Sequence, residues 1–399
     1  MWGAATSAYQ VEGDNIYADW WFWDFWQKTI APSGKACDHY RLFRQDFDLA
    51  KKLKHNAHRF SIEWSRIQPR QESFNQNELQ HYRDVVSYLA AIGIEPVATL
   101  HHFTNPIWLA KVGGWAHPSC VRHFLTYVEK TVTLLAEKVR FWVTINEPMV
   151  HVYFSYIAGR WPPQSRSLVK AKIAMDSMAR AHIKAYRLIH DIYRKKNLPP
   201  PKVGIAHNTV AFVPCKQDFR DRYIAGLRDF WFNYRFLDVL YKRKALDYIG
   251  INYYTRHLID TDRWSLNEVM NNACKKGHDT LPKNVMGWEI YPQGLYDILV
   301  GMKKYGLPVF ILENGICARD DNQRWEYIRA HLLSVHRAIK DQVPVIGYLY
   351  WSLLDNFEWD SGFVPRFGLC EVDFKTMERT PRPSAEKFGR VCVTGRLEE

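Results

Sequence analysis

Two glutamates have the right type and setting for chemistry. Glu147 follows the apolar run Phe141–Ile145, and Glu313 follows Val309–Leu312. A carboxylate at the end of a buried strand is costly unless it is solvated, paired or used. One alone could be structural. Two that face each other across a shared mouth can divide the work of breaking an acetal. One protonates the leaving oxygen, and the other attacks the anomeric carbon or activates a water that does. The same pair could instead hold a metal ion, and position alone leaves both readings open.

The elements that would carry them alternate regularly. Strand-like apolar runs occur at Gly3–Tyr9, Ala57–Ile62, Pro96–Leu100, Phe141–Ile145, Val203–Ala206, Tyr248–Asn252, Val309–Leu312 and Val345–Trp351. Amphipathic stretches lie between most of them: Tyr40–Lys54, Glu78–Ile92, Ser119–Lys138, Leu168–Asn197, Tyr291–Tyr305 and Asn322–Lys340. Eight strands alternating with helices predict an α/β fold, a single (β/α)8 TIM barrel over residues 1–399. A doubly wound open sheet is the competing architecture. Against it, Trp2-Gly3-Ala4-Ala5-Thr6 carries no Gly-rich phosphate loop. No internal repeat, Gly/Ser linker or low-complexity tract marks a boundary, and Pro199-Pro200-Pro201 reads as a helix stop leading into a strand.

In such a barrel the chemistry sits at the C-terminal strand ends. The polar residues placed there are Gln10, Arg59 with Glu63, His101 with His102, Asn146 with Glu147, His207 with Asn208, Asn252 with Tyr254, Glu313 with Asn314, and Trp351 followed by Glu358. Only one of two adjacent histidines can face the mouth.

Composition excludes several other classes. The chain has 54 Lys and Arg against 42 Asp and Glu, a formal net charge of +12. These charges are interspersed, and the short clusters Arg194-Lys195-Lys196 and Lys242-Arg243-Lys244 read as solvated faces, so no nucleic-acid partner is expected. No apolar run approaches the length of a membrane span, and the first residues lack the pattern of a signal peptide, so no membrane partner is expected either. Seven cysteines, odd in number and without a Cys-x-x-Cys pair, argue against a disulfide framework and a structural zinc site, and suggest a cytoplasmic setting. With 16 Trp the chain is rich in indole rings. Most are expected in the core, and some could stack on the flat C–H faces of a sugar.

The local sequences around the carboxylates narrow the reading. Thr144-Ile145-Asn146-Glu147-Pro148 and Ile311-Leu312-Glu313-Asn314-Gly315 resemble the two signature motifs of glycoside hydrolase family 1. So do Trp2 through Gly13, the segment Arg59-Phe60-Ser61-Ile62-Glu63-Trp64-Ser65-Arg66, and Trp351 through Trp359 continuing to Arg366-Phe367-Gly368. The matches run in order along nearly the whole chain. The resemblance implies a (β/α)8 barrel that hydrolyses terminal β-D-glucosyl residues, with β-galactosyl and β-fucosyl residues as further candidates, by double displacement through a covalent glycosyl-enzyme. It implies small β-glycosides or short oligosaccharides as partners and no metal or redox cofactor. Carried over by position, Glu147 looks like the acid/base and Glu313 like the nucleophile, supported by Arg59 and Tyr254. Gln10, His102, Asn146, Tyr254, Glu358 and Trp359 resemble the residues that bond sugar hydroxyls. Trp351 resembles the floor of the sugar site and Phe367 a wall.

The chain departs from the family pattern at three places. Leu312 precedes Glu313 where Thr is usual, Phe103 follows His102 where Trp is usual, and Met149 follows Glu147-Pro148 where an aromatic residue is common. The chain is also short for the family, notably between Asn208 and Tyr248, which predicts an open mouth with exposed aromatic surface. A 6-phospho-β-glycosidase is disfavoured by Glu358, which as an ionised carboxylate would repel a sugar phosphate. A non-catalytic sugar-binding relative is disfavoured by the presence of both carboxylates.

Overall fold

The computed structural model describes residues 1–26, 30–263, 274 and 281–397. Eight parallel strands close into a barrel in chain order: β1 (Trp2–Ala5), β2 (Ala57–Ser61), β3 (Glu95–Thr99), β4 (Phe141–Asn146), β5 (Lys202–Pro214), β6 (Ile249–Ile259), β7 (Val309–Asn314) and β8 (Val345–Trp351). Closure is made at β1, where Ala5 is in register with Arg59 of β2 and with Trp351 of β8. The expected barrel is therefore the observed one. A small cluster fills its interior, including Val97, Val143, Tyr248, Phe310 and Leu312.

The helices cover the strands for local reasons. In Gln76–Ala91, Asn75 accepts hydrogen bonds from the free backbone N–H groups of Asn77 and Glu78. The helix then buries Leu79, Tyr82, Val85, Val86 and Leu89, a face of period near 3.6. Each such side chain contributes about 1.5–3 kcal/mol on burial. The last helix, Pro383–Thr394, has Pro at its first turn and ends on Gly395 at φ 63°.

Three departures from the expected elements bear on the site. The first strand stops at Ala5, and a short helix, Ala8–Val11, follows, so Gln10 sits on a helical turn beyond the strand. β5 and β6 run on to Pro214 and Ile259, pairing with each other past the barrel rim. Periodicity read over the barrel core alone could not register that extension. The third concerns cysteine. Cys215 and Cys274 form a disulfide, with Cα atoms 5.8 Å apart and 59 positions apart in sequence. This corrects the expectation drawn from an odd count, since parity does not forbid one pair brought together at the end of β5. The other cysteines, Cys37, Cys120, Cys317, Cys370 and Cys392, are free and buried. Among the described residues, no helix is long and apolar enough to cross a membrane.

Candidate active site

The strand ends converge on a cleft of about 710 Å³ at the C-terminal mouth of the barrel. Gln10, His102, Asn146, Glu147, Tyr254, Glu313, Trp351, Glu358, Trp359 and Phe367 all line it. Arg59 lies just behind, fully buried, and is the hub of the polar network. Its guanidinium donates from one nitrogen to Glu313 Oε1, from a second to Asn146 Oδ1 at 2.6 Å, and from Nε to Thr99 Oγ1 at 3.0 Å. Tyr254 donates its hydroxyl to the other oxygen of Glu313 at 2.5 Å. Both oxygens of Glu313 are thus held by donors, which orients the carboxyl in the cleft.

The chain around Glu313 is held as tightly as the side chain. The Asn314 amide donates to the Tyr253 carbonyl and the Tyr327 hydroxyl, and accepts from Tyr348. Gly315 passes so close to β8 that a Cβ there would lie 1.8 Å from the Trp351 carbonyl oxygen. That contact explains why a glycine must follow the Glu-Asn pair. Leu312, the departure from Thr, belongs to the barrel interior, and its Cδ1 would lie 2.4 Å from a Cβ on Gly250. The larger side chain is thus fitted by a missing one on β6.

Glu147 sits differently. It leaves β4 in the left-handed region at φ 42°, immediately before a helix that starts at Pro148. A non-glycine residue there stores strain, which is characteristic of functional positions. Asn252 Nδ2 donates to Glu147 Oε1 at 2.7 Å, and Asn208 also bonds this carboxyl. Burial first, then the negative charge of Glu313, pushes the Glu147 carboxyl up to about 8. The two glutamates therefore have opposite environments, one anchored by a cation and a phenol, the other dry and facing a like charge. Asn208 and Asn252 stood among the strand-end residues in the sequence, but no motif singled them out. Their spacing to Glu147 exists only across β4, β5 and β6.

The far end of the cleft is built from the β1 and β8 segments. Gln10 Nε2 donates to Glu358 Oε2 at 3.1 Å. His102 shares a contact of 3.2 Å with Asn146 Nδ2, and its ring lies parallel to Trp351 and Trp359 with centroids 6.0 Å from each. His101 points the other way, taking the Trp115 indole N–H at 3.1 Å. Glu63 also turns from the mouth, accepting from the Ser65 and Thr104 hydroxyls. Glu358 is held up to about 8 by burial and by the charges of Glu313 and Glu147. Three carboxyls thus share one dry pocket, and each negative charge there favours a proton on Glu358.

These values fix a pH dependence. If Glu147 is the acid, it must be protonated to act, and its raised value favours that form at neutral pH. The specificity constant on a substrate with a poor leaving group should be level near pH 7 and fall as pH rises past about 8. The limb belongs to the coupled cluster rather than to one residue. A pH profile of kcat/KM checks it, and an alkaline limb near pH 5 would refute the assignment of the acid.

The profile of glycosyl hydrolase family 1 matches residues 1–245 and 237–395. A β-galactosidase of Pyrococcus woesei is 32% identical over 489 aligned positions, covering 98% of this chain and 96% of that protein. The structure of a β-glycosidase from Pyrococcus horikoshii superposes with a TM-score of 0.90 at 40% identity, covering 100% of this chain and 94% of the other. A β-glucosidase from Thermotoga maritima in complex with glucoimidazole superposes with a TM-score of 0.89 at 29% identity, covering 98% and 97%. The chain belongs to glycosyl hydrolase family 1.

Proposed function

We propose that residues 1–399 form one catalytic domain, a retaining β-glycosidase that releases terminal non-reducing β-D-glucosyl, and also β-galactosyl or β-fucosyl, residues from small glycosides. The observation that carries this is the contrast between Glu313, bonded by Arg59 and Tyr254, and Glu147, pushed up to about 8. Glu313 attacks the anomeric carbon while Glu147 gives its proton to the leaving oxygen. The glycosyl–Glu313 ester then carries no charge, so the repulsion that held the proton on Glu147 is gone. Glu147 becomes a base and activates the water that opens the ester. Asn146, held by Arg59, would bond the sugar 2-hydroxyl, and Gln10, His102, Glu358 and Trp359 the others, with the ring stacked on Trp351. Among the described residues, no group of three or more His, Cys, Asp and Glu side chains could hold a metal ion. A cytoplasmic setting is supported by the five free buried thiols, and the Cys215–Cys274 bond stands against it.

The stereochemical course tests the mechanism. The first product from an aryl β-glucoside, followed by NMR before mutarotation, should be the β-anomer, the outcome of a double displacement. An α-anomeric first product would overturn it.

Glu358 sets the class of sugar. The glycone end offers a carboxyl, and the cleft-lining Arg160 is already paired with Asp360 at 2.6 Å. Hydroxyl groups that donate to Glu358 favour its ionised form as the sugar enters. A 6-phosphate brings a second anion to the same place. Hydrolysis of a β-glucoside should therefore be measurable and that of its 6-phosphate slight. Glu358→Ser should cost roughly 2–4 kcal/mol in specificity constant on the neutral sugar, because hydroxyls lose their acceptor. A wild-type preference for the phosphorylated substrate would refute this role.

A further inference from the structure

The leaving group must meet Glu147, so the aglycone lies on that residue's side of the cleft. That side is formed by the segment after Glu147, by the outer part of β5, and by the helix Phe219–Asp229 with the π-helical turn Phe230–Tyr234. Its walls are largely apolar: Met149, Tyr153, Phe154, Phe212 and Phe232 all line it. Among them stands one cation, Arg228, half-buried on the penultimate position of that helix. Nearby basic groups are engaged. Arg160 pairs with Asp360 at 2.6 Å, Arg256 with Glu289 at 2.5 Å, and Arg235 lies 4.0 Å over the Trp231 ring. Arg228 makes no ion pair or hydrogen bond among the described residues, and its loss of water is opposed by the nearby Tyr153 phenol but by no carboxylate. His257 beside it is half-buried, and loss of water holds its ring down at about 4, so it adds no charge. A guanidinium taken partly out of water without a partner is costly, and an arriving oxyanion recovers that cost through paired, charge-assisted hydrogen bonds.

We propose that the outer half of the cleft selects aglycones that join an aromatic or other apolar body to an anionic group, and that Arg228 recognises the anion. The proposal rests on the glycosidase reading above. The test compares 4-(carboxymethyl)phenyl β-glucoside with its neutral amide, 4-(carbamoylmethyl)phenyl β-glucoside. The methylene keeps the two phenols nearly equal as leaving groups. Wild type should prefer the carboxylate by about tenfold in kcat/KM, the scale of one charge-assisted contact. That preference should shrink as salt is raised. Arg228→Gln should bring the ratio to about one, and Arg228→Lys should retain part of it, because the charge remains while the fork is lost. Equal turnover of the two glucosides by wild type, or an unchanged ratio in Arg228→Gln, would overturn the role of Arg228 while leaving the glycosidase intact. Failure of wild type to hydrolyse either glucoside would overturn the glycosidase reading and this inference with it. The wild-type ratio and its salt dependence decide the matter even if a variant folds poorly.

Discussion

Glu313→Gly is expected to remove nearly all hydrolysis on every substrate, whatever its leaving group. With Glu313 as the proposed nucleophile, no glycosyl-enzyme can form without this carboxylate, so loss on the order of 10⁴–10⁶ in kcat is anticipated, the scale seen when a covalent nucleophile is removed. The variant also tests the electrostatic design. Arg59 is fully buried and donates to Glu313, so the change leaves a cation without its partner. Breaking a buried pair costs about 3–5 kcal/mol of stability, and a melting temperature must accompany the activity. The same unpaired guanidinium makes the vacated space attractive to a small anion. Azide should enter beside Arg59, attack the face that Glu313 used, and yield an α-glucosyl azide from an activated β-glucoside. Retention of more than a few per cent of activity on both good and poor leaving groups would refute the assignment of Glu313.

The barrel was legible because each strand is an apolar run that ends in a polar residue with somewhere to go. All eight strand starts fall within one residue of the runs read from sequence, and β8 matches at both ends. Glu147, Glu313 and Arg59 stood at those ends, inside motifs long enough to fix their register. What stayed hidden depends on distances through space. Asn252 reaches Glu147 from two strands away. The fit of Leu312 against Gly250 joins positions more than sixty residues apart, and neither motif nor periodicity links them. The Cys215–Cys274 bond likewise joins two cysteines of unremarkable spacing. Arg228 reads in sequence as one more charge on a helix. Only the cleft shows that it faces apolar walls without an acid beside it. Protonation was the least legible property. Glu358 reads in sequence as a sugar-binding carboxyl, yet burial and two other carboxyls raise its hold on a proton, and its own motif reveals none of these.

Glu147→Ala should separate substrates that the wild type treats more evenly. An alkoxide or simple phenoxide leaves only with a proton, so on poor leaving groups the specificity constant should fall by about 10²–10⁴, the usual worth of a positioned acid. A dinitrophenolate needs no proton, so formation of the glycosyl-enzyme from it should be slowed by less than about tenfold. Breakdown of that intermediate still needs a base, and on the proposed assignment Glu147 is that base. The variant should therefore show a burst of phenolate followed by slow turnover, with a low KM because the intermediate accumulates. The geometry indicates how to relieve the block. With the side chain gone, Asn252 and Asn208 still point donors at the place its oxygens held, and a small anion can sit there. Azide needs no base, and arriving from that face it should release the enzyme as a β-glucosyl azide, the opposite anomer to that from Glu313→Gly. The two products report which face each glutamate serves, independently of any rate. A uniform loss of activity across good and poor leaving groups, or the α-azide from Glu147→Ala, would show that the acid/base lies elsewhere.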